Sequence, residues 1–109
     1  MVDVHFKDGV DPSGAQLPVI RAIAVTAGVM HAWGRRCTIT SLNDGRHSTH
    51  SLHYEGLAFD LRTRDEGPSY KQWPDWEKRL IAQALRNHLG GDYDVVVEGD
   101  HIHVEFDPK

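Results

Sequence analysis

The chain has 109 residues, of which 39% are hydrophobic and 26% are charged. That length suits one domain with one modest core and excludes a multidomain protein, so residues 1–109 are assigned to a single domain. The 12 Lys and Arg residues are outnumbered by 16 Asp and Glu residues, for a formal net charge of −4. We therefore expect no nucleic-acid partner. No apolar run approaches the ~20 residues that cross a bilayer, so no membrane insertion is expected.

Cys37 is the only cysteine in the chain. A single cysteine excludes an internal disulfide and a zinc site built from several thiolates, and it suggests synthesis in a reducing compartment. Because Cys37 opens an alternating, β-branched stretch, we predict that it is buried as a small hydrophobic residue.

The first half of the chain is predicted to form a strand, a helix and a second strand. Residues 2–6 alternate apolar and polar side chains, which is typical of a short strand. Apolar residues recur at three- and four-residue steps over 17–33, with Pro18 in the first turn and Gly34 after the last, which predicts a core-facing helix. Residues 37–42 are β-branched and alternate, which predicts the second strand.

The second half is predicted to add three strands and one helix. Residues 57–62 alternate, so Asp60 should point away from the core. A polar loop precedes a helix over 74–89, and a two-residue turn then joins strands at 93–98 and 101–106. We predict an α+β fold with a small, mostly antiparallel sheet and two main helices packed on one face. The apolar stripe of the second helix is predicted to contain Trp76, Leu80, Ala84 and Leu85.

The two-residue turn Gly99-Asp100 also predicts the register of the last hairpin. It pairs Glu98 with His101 and Val96 with His103, so Glu98 and the two histidines share one face. The opposite face is apolar and should lie on the helices; it carries Val95, Val97, Ile102 and Val104. The polar face is therefore available to build a functional site.

Histidines are unusually frequent, with eight in the chain. Five of them fall in two clusters: His47, His50 and His53, then His101 and His103. A turn over 54–56 would bring the ring of His53 beside the carboxylate of Asp60. Two imidazoles and one carboxylate, with one position left for water, form the ligand set of a catalytic zinc. The sequence therefore predicts an open metal site.

Residues 51–60, Ser51-Leu52-His53-Tyr54-Glu55-Gly56-Leu57-Ala58-Phe59-Asp60, fit the pattern S-x-H-x-x-G-x-A-x-D. With His101-Ile102-His103 downstream, the chain resembles the LAS metallopeptidases. These include D-Ala-D-Ala carboxypeptidases and dipeptidases, phage L-alanyl-D-glutamate endolysins and the hedgehog signalling domain. The resemblance covers roughly residues 37–106, and the small size is similar to that of phage or prophage members. Gly56 and Ala58 are interpreted as small residues that leave room beside the metal.

The resemblance implies one Zn²⁺ per chain. Its ligands would be His53, Asp60 and His103, with His101 just outside the metal shell. Bound zinc would activate a water molecule and polarise the scissile carbonyl. His101 would donate a hydrogen bond to the oxyanion.

The general base has two candidates. Family members place an acidic residue three positions before the last ligand, or farther back in the hedgehog branch. Asp100 fits the first spacing but lies at the hairpin tip, where it is expected to aim poorly. Glu98 shares the site face with both hairpin histidines, and we favour it as the residue that moves the proton.

Three residues that precede Asp60 in the chain are candidates for substrate contacts. Arg46 would hold a substrate carboxylate through a bidentate pair, although a surface ion pair would equally account for it. Ser51 would orient a ligand ring or the turn, and His47 would lie at the rim of the site.

The resemblance implies a zinc-dependent peptidase, either a carboxypeptidase or an endopeptidase, that hydrolyses peptidoglycan stem peptides. No secretory signal is visible in residues 1–8. The protein is therefore expected to be made in the bacterial cytoplasm and to reach the cell wall by release or with a virion, alongside phage virion or lysis proteins. One alternative is a non-catalytic, hedgehog-like zinc-binding module, for example in a phage structural or tail-associated protein. Another is a metal-free virion protein.

Overall fold

The computed structural model describes residues 2–42, 56–67 and 69–108. Within these residues the helices are α1 (Leu17–Ala32) and α2 (Asp75–Leu89). The strands are β1 (His5–Phe6), β2 (Thr38–Ser41), β3 (Ala58–Arg62), β4 (Tyr93–Val97) and β5 (His101–Phe106). They form a mixed sheet in the order β1-β2-β3-β5-β4, in which only the β1–β2 pair is parallel. The predicted α+β fold is confirmed.

The helices cover one face of the sheet. Phe59 and Leu61 of β3 and Ile102 and Val104 of β5 are fully buried in a core that includes residues of both helices. Helix α1 begins with Pro18 in its first turn and ends before Gly34, whose φ of 68° suits a residue without a Cβ atom. Neither described helix is long and apolar enough to cross a membrane.

The predicted apolar stripe of α2 is wrong at two positions. Trp76 is 61% exposed and Leu80 is 51% exposed. The buried face of the helix instead comprises Glu77, Lys78, Ile81, Ala82 and Leu85. Leu85 is buried as predicted, and Ala84 is half-buried.

Partners from elsewhere in the chain explain why two charged residues of α2 are buried. Arg35 donates two hydrogen bonds to Glu77, from Nε to Oε2 at 2.6 Å and from Nη2 to Oε1 at 2.8 Å. Lys78 donates from Nζ to the carbonyl oxygen of Gly99 at 3.1 Å. Hydrogen bonds offset much of the desolvation penalty of a buried charge, so these contacts make the burial of Glu77 and Lys78 tolerable where hydropathy predicts exposure.

The register of the β4–β5 hairpin is confirmed. Val97 pairs with Ile102 and Val96 pairs with His103. The backbone N–H of Glu98 donates to the carbonyl of His101 at 2.8 Å, which closes the turn. The face that packs on the helices is the predicted apolar face, and the opposite face carries the histidines.

Gly56 lies where the chain enters β3. Its φ is 75°, and an added Cβ would collide with the carbonyl oxygen of Gly14. The carbonyl of Gly56 also accepts a hydrogen bond from the backbone N–H of Gln16 at 3.0 Å. The structure thus gives this glycine a backbone role, since it lets the motif segment pass close to the start of α1.

Cys37 is buried beside β2, as predicted. Burial raises the pKa of its thiol to about 12, because the thiolate would lose its hydration. The thiol therefore packs in the core and is a poor nucleophile at neutral pH.

Candidate metal centre

The polar face of the sheet is assembled where β3 and β5 run side by side. Their antiparallel register places Asp60 opposite His103 and Arg62 opposite His101. Paired residues point to the same face, and the intervening Leu61 points into the core. Asp60 therefore points away from the core, as the alternation predicts.

His103 lies between two carboxylates. Its Nδ1 atom is 2.9 Å from Oδ1 of Asp60, and its Nε2 atom is 2.8 Å from Oε1 of Glu105. The contact with Asp60 raises the pKa of His103 above its ordinary value; burial opposes that rise and Glu105 adds to it. This corner of the sheet therefore favours a positive charge on or beside the imidazole.

The chemistry of these donors fits a metal ion. An N–H from Nε2 of His103 to Glu105 would fix the ring and leave a lone pair on Nδ1, facing Asp60. A lone pair and a carboxylate oxygen repel each other unless a proton or a cation lies between them. A tetrahedral zinc, with bonds of about 2.1 Å, would hold two ligand atoms about 3.4 Å apart. Asp60 and His103 would need to separate by only a few tenths of an ångström.

His101 stands beside this pair. Its Nε2 atom is 3.7 Å from Oδ1 of Asp60, beyond hydrogen-bonding distance, and its Nδ1 atom is 2.6 Å from Oδ1 of Asp100. The hydrogen bond from His101 lowers the pKa of the Asp100 carboxyl. His101 is thus oriented by one carboxylate and faces the other at longer range.

The two candidate bases have different surroundings. Glu98 is exposed and lies opposite His101 on the polar face, as predicted. Asp100, although at the hairpin tip, folds back onto His101 and lines a cleft together with Asp60. A charge-assisted hydrogen bond overcomes the poor aim expected at a turn. Glu98 and Asp100 therefore both stay candidates for the base.

The remaining predicted site residues lie outside the described residues. They are the ligand His53 and the substrate-contact candidates Arg46, His47 and Ser51. Their assignments stay predictions. The described ranges bring together Asp60 and His103 of the predicted metal ligands, with His101 and Asp100 beside them.

The sequence interpretation missed a group of three carboxylates. Asp94, Glu105 and Asp107 each offer an oxygen within 4.8 Å of the others, an arrangement that could hold a metal ion. Ligand sets made only of oxygen favour hard cations such as Ca²⁺ or Mg²⁺ over zinc. The hairpin register contains a signal for this group, because extending it by two more pairs places Asp94 opposite Glu105.

Comparison with known proteins finds similarity to hedgehog proteins. The chain is 32% identical over 108 residues to Indian hedgehog B protein of Danio rerio, covering 93% of this chain and 24% of that protein. Identity and coverage are the same for Indian hedgehog protein of Gallus gallus. The chain spans about a quarter of the length of these relatives. No protein-family model matches the chain.

Proposed function

We propose that this chain is a zinc-dependent peptidase that hydrolyses peptidoglycan stem peptides. The observation that carries the proposal is the contact of 2.9 Å between Asp60 and His103, which lie 43 residues apart in the chain. The motif around Asp60 supports it, and the similarity to hedgehog proteins supports its coarser part, a zinc-related module. In this proposal the protein reaches the cell wall from a phage particle or during phage lysis.

The proposed mechanism assigns one role to each group of side chains. Zinc would be held by Asp60, His103 and His53, and when bound it supplies the Lewis acidity that activates water and polarises a carbonyl. Asp100 or Glu98 accepts the proton of the attacking water and passes it to the leaving amine. His101 donates a hydrogen bond to the carbonyl oxygen as negative charge develops there.

Metal content tests the ligand set. Elemental analysis of the purified protein should give about one zinc per chain, which Asp60→Asn and His103→Gln should each remove by taking away a donor. His88→Gln is the matched control, since it removes an exposed imidazole on α2. Zinc that persists at full stoichiometry in both ligand variants would disprove the site. If only Asp94→Asn loses the metal, the metal site would instead be the group of Asp94, Glu105 and Asp107.

Peptidoglycan digestion followed by mass spectrometry tests the activity. Glu98→Gln and Asp100→Asn should both retain zinc, and the variant that removes the base should lose about 10²–10⁴-fold in cleavage rate. The products identify the bond that is cleaved. Full activity in both single variants and in the double variant would reject an acidic base at this hairpin.

The second candidate is a non-catalytic zinc-binding module. It is favoured by the similarity of the chain to hedgehog proteins. This hypothesis predicts a zinc-loaded protein that cleaves no stem peptide and whose melting temperature falls when a chelator removes the metal. A protein that purifies without zinc, and whose melting temperature no chelator changes, would contradict both candidates.

A further inference from the structure

A cleft of about 320 Å³ opens beside the candidate metal centre. Its lining includes Asp60, Asp100 and His101 together with three basic residues, Lys7, Arg62 and Arg64. The basic residues come from separate parts of the chain: the end of β1, the end of β3 and the loop that follows β3. A group held by these cations would lie in the same cleft as the candidate site.

The cations of the cleft are not equally available to a ligand. Arg62 donates from Nη1 to Oε2 of Glu66 at 2.8 Å, and the other oxygen of Glu66 accepts from the hydroxyl of Thr38 at 2.7 Å. Lys7 and Arg64, in contrast, make no ion pair with any residue in the described ranges. Two positive charges of the cleft therefore remain for a ligand.

Arg64 is held in place by its surroundings. Its guanidinium carbon lies 4.6 Å from the centre of the Tyr70 ring. Its backbone pairs with Gln72 in an antiparallel bridge, and the N–H of Trp73 donates to the carbonyl of Thr63 at 2.9 Å. Stacking on the ring face leaves the N–H edges of the guanidinium directed sideways. The side chain therefore loses little entropy when it binds a ligand.

The backbone of Tyr70 has an unusual conformation beside Arg64. Its φ is 49°, in the left-handed region that bulky side chains rarely adopt. Such a conformation persists only where the surroundings impose it, and it occurs often at binding sites. Here it accompanies the stacking of the Tyr70 ring on Arg64, while the ring itself stays exposed.

We propose that Arg64 and Lys7 form a subsite that binds a free carboxylate of the peptide substrate. The Arg64 fork matches a carboxylate in a bidentate pair, and Lys7 adds a second charge. Asp60 and Asp100 line the same cleft and offset much of its positive charge, so the cleft suits the single charge of a carboxylate better than the double charge of a phosphate. The inference rests on the proposed function, and within it favours a carboxypeptidase, because such a substrate ends close to the cleaved bond.

The test compares two probes that differ by one charge, N-acetyl-D-alanyl-D-alanine and its C-terminal amide. Calorimetric titration of the full chain should show at least about tenfold tighter binding of the acid. Arg64→Gln should reduce this preference about tenfold, Lys7→Gln less, and the double variant should abolish it. Arg79→Gln removes a positive charge from the exposed side of α2 and should change nothing. Tyr70→Leu retains every charge and should weaken the preference only in part.

The outcomes separate this inference from the proposed function. Zinc content and cleavage test the function, whereas the ratio of acid to amide affinity tests the subsite. An unchanged ratio in the folded double variant would overturn the subsite, even if zinc is bound and peptides are cleaved. Inorganic phosphate that competes as well as the acid would overturn the assignment to a carboxylate. A preserved ratio in a protein without zinc would instead reject the proposed function and leave the subsite standing.

Discussion

The two faces of the sheet differ in their side chains: one face forms the core with the helices, and the other carries the candidate metal centre. On β3, Phe59 and Leu61 are fully buried beneath the helices, whereas Asp60 between them faces the candidate metal centre. On β5, Ile102 is buried in the same core, and its neighbour His103 contacts Asp60. Each of these two strands therefore contributes both to the core and to the candidate metal centre. Neighbouring substitutions should therefore have separable effects.

The largest expected effect is on the apolar face. Phe59→Ala removes a fully buried ring and should lower the free energy of unfolding by about 3–5 kcal/mol, measured by urea denaturation. Val96→Ala is the control on the other face, where the side chain is 43% exposed and truncation should cost less than about 1 kcal/mol. Equal costs for the two variants would break the distinction between the faces.

Gly56→Ala tests the entry into β3. The substitution should cost about 2–3 kcal/mol, because alanine is strained at a φ of 75° and its Cβ would meet the Gly14 carbonyl. Gly67→Ala is matched in backbone strain, with a φ of 91°, but has open space around the added Cβ. It should cost about 1 kcal/mol. If thermal melts give both variants the same loss, the close approach to Gly14 contributes nothing.

Two ion pairs, Arg35 with Glu77 and Arg62 with Glu66, should contribute less to the free energy of unfolding, and by different amounts. Arg35→Gln leaves the buried Glu77 carboxylate without its bidentate partner, and should cost about 2 kcal/mol in urea denaturation. That figure is lower than for a fully enclosed pair because the Arg35 side chain is 31% exposed. Arg62→Gln removes the more exposed i,i+4 pair with Glu66 and should cost about 0.5 kcal/mol. A larger loss for Arg62→Gln would reverse the expected order.

The smallest expected effect concerns the Cys37 thiol, which should stay unreactive in the folded protein. With its pKa raised to about 12, the Cys37 thiol should not react measurably with a disulfide reagent at pH 8 in the folded protein, and should react fully in denaturant. Imidazoles of the polar face are only partly buried and should be modified by an acylating reagent under the same conditions. Rapid labelling of Cys37 without denaturant would show that the apolar face is open.

Part of the site was predictable because it depends on local geometry. A two-residue turn and the alternation of a strand were enough to place Glu98 and both histidines on one face and Val104 on the other. The same register, extended further, would have found the pairing of Asp94 with Glu105. The positions of Asp60 and His103 on polar faces followed from alternation as well.

Other features depended on residues distant in sequence. Trp76 was predicted to lie in the core, but it is exposed and the neighbouring Glu77 is buried in its place. Hydropathy does not reveal that Arg35 provides a partner for the Glu77 carboxylate. The proposed role of Arg64 was missed for a similar reason, since it depends on the stacking of Tyr70 across a loop. Pairings between distant segments change which side of an element is buried, and no local pattern encodes them.

The amino-acid order by itself determined the elements, the hairpin register and the alternation that separates an apolar from a polar face. These depend on backbone periodicity and turn chemistry, which act over a few residues. Only the tertiary structure decided that β3 lies against β5, which brings Asp60 to His103, and that three basic residues line a cleft together with Asp60. Strand order depends on how the helices and strands pack into one core, a property of the whole chain.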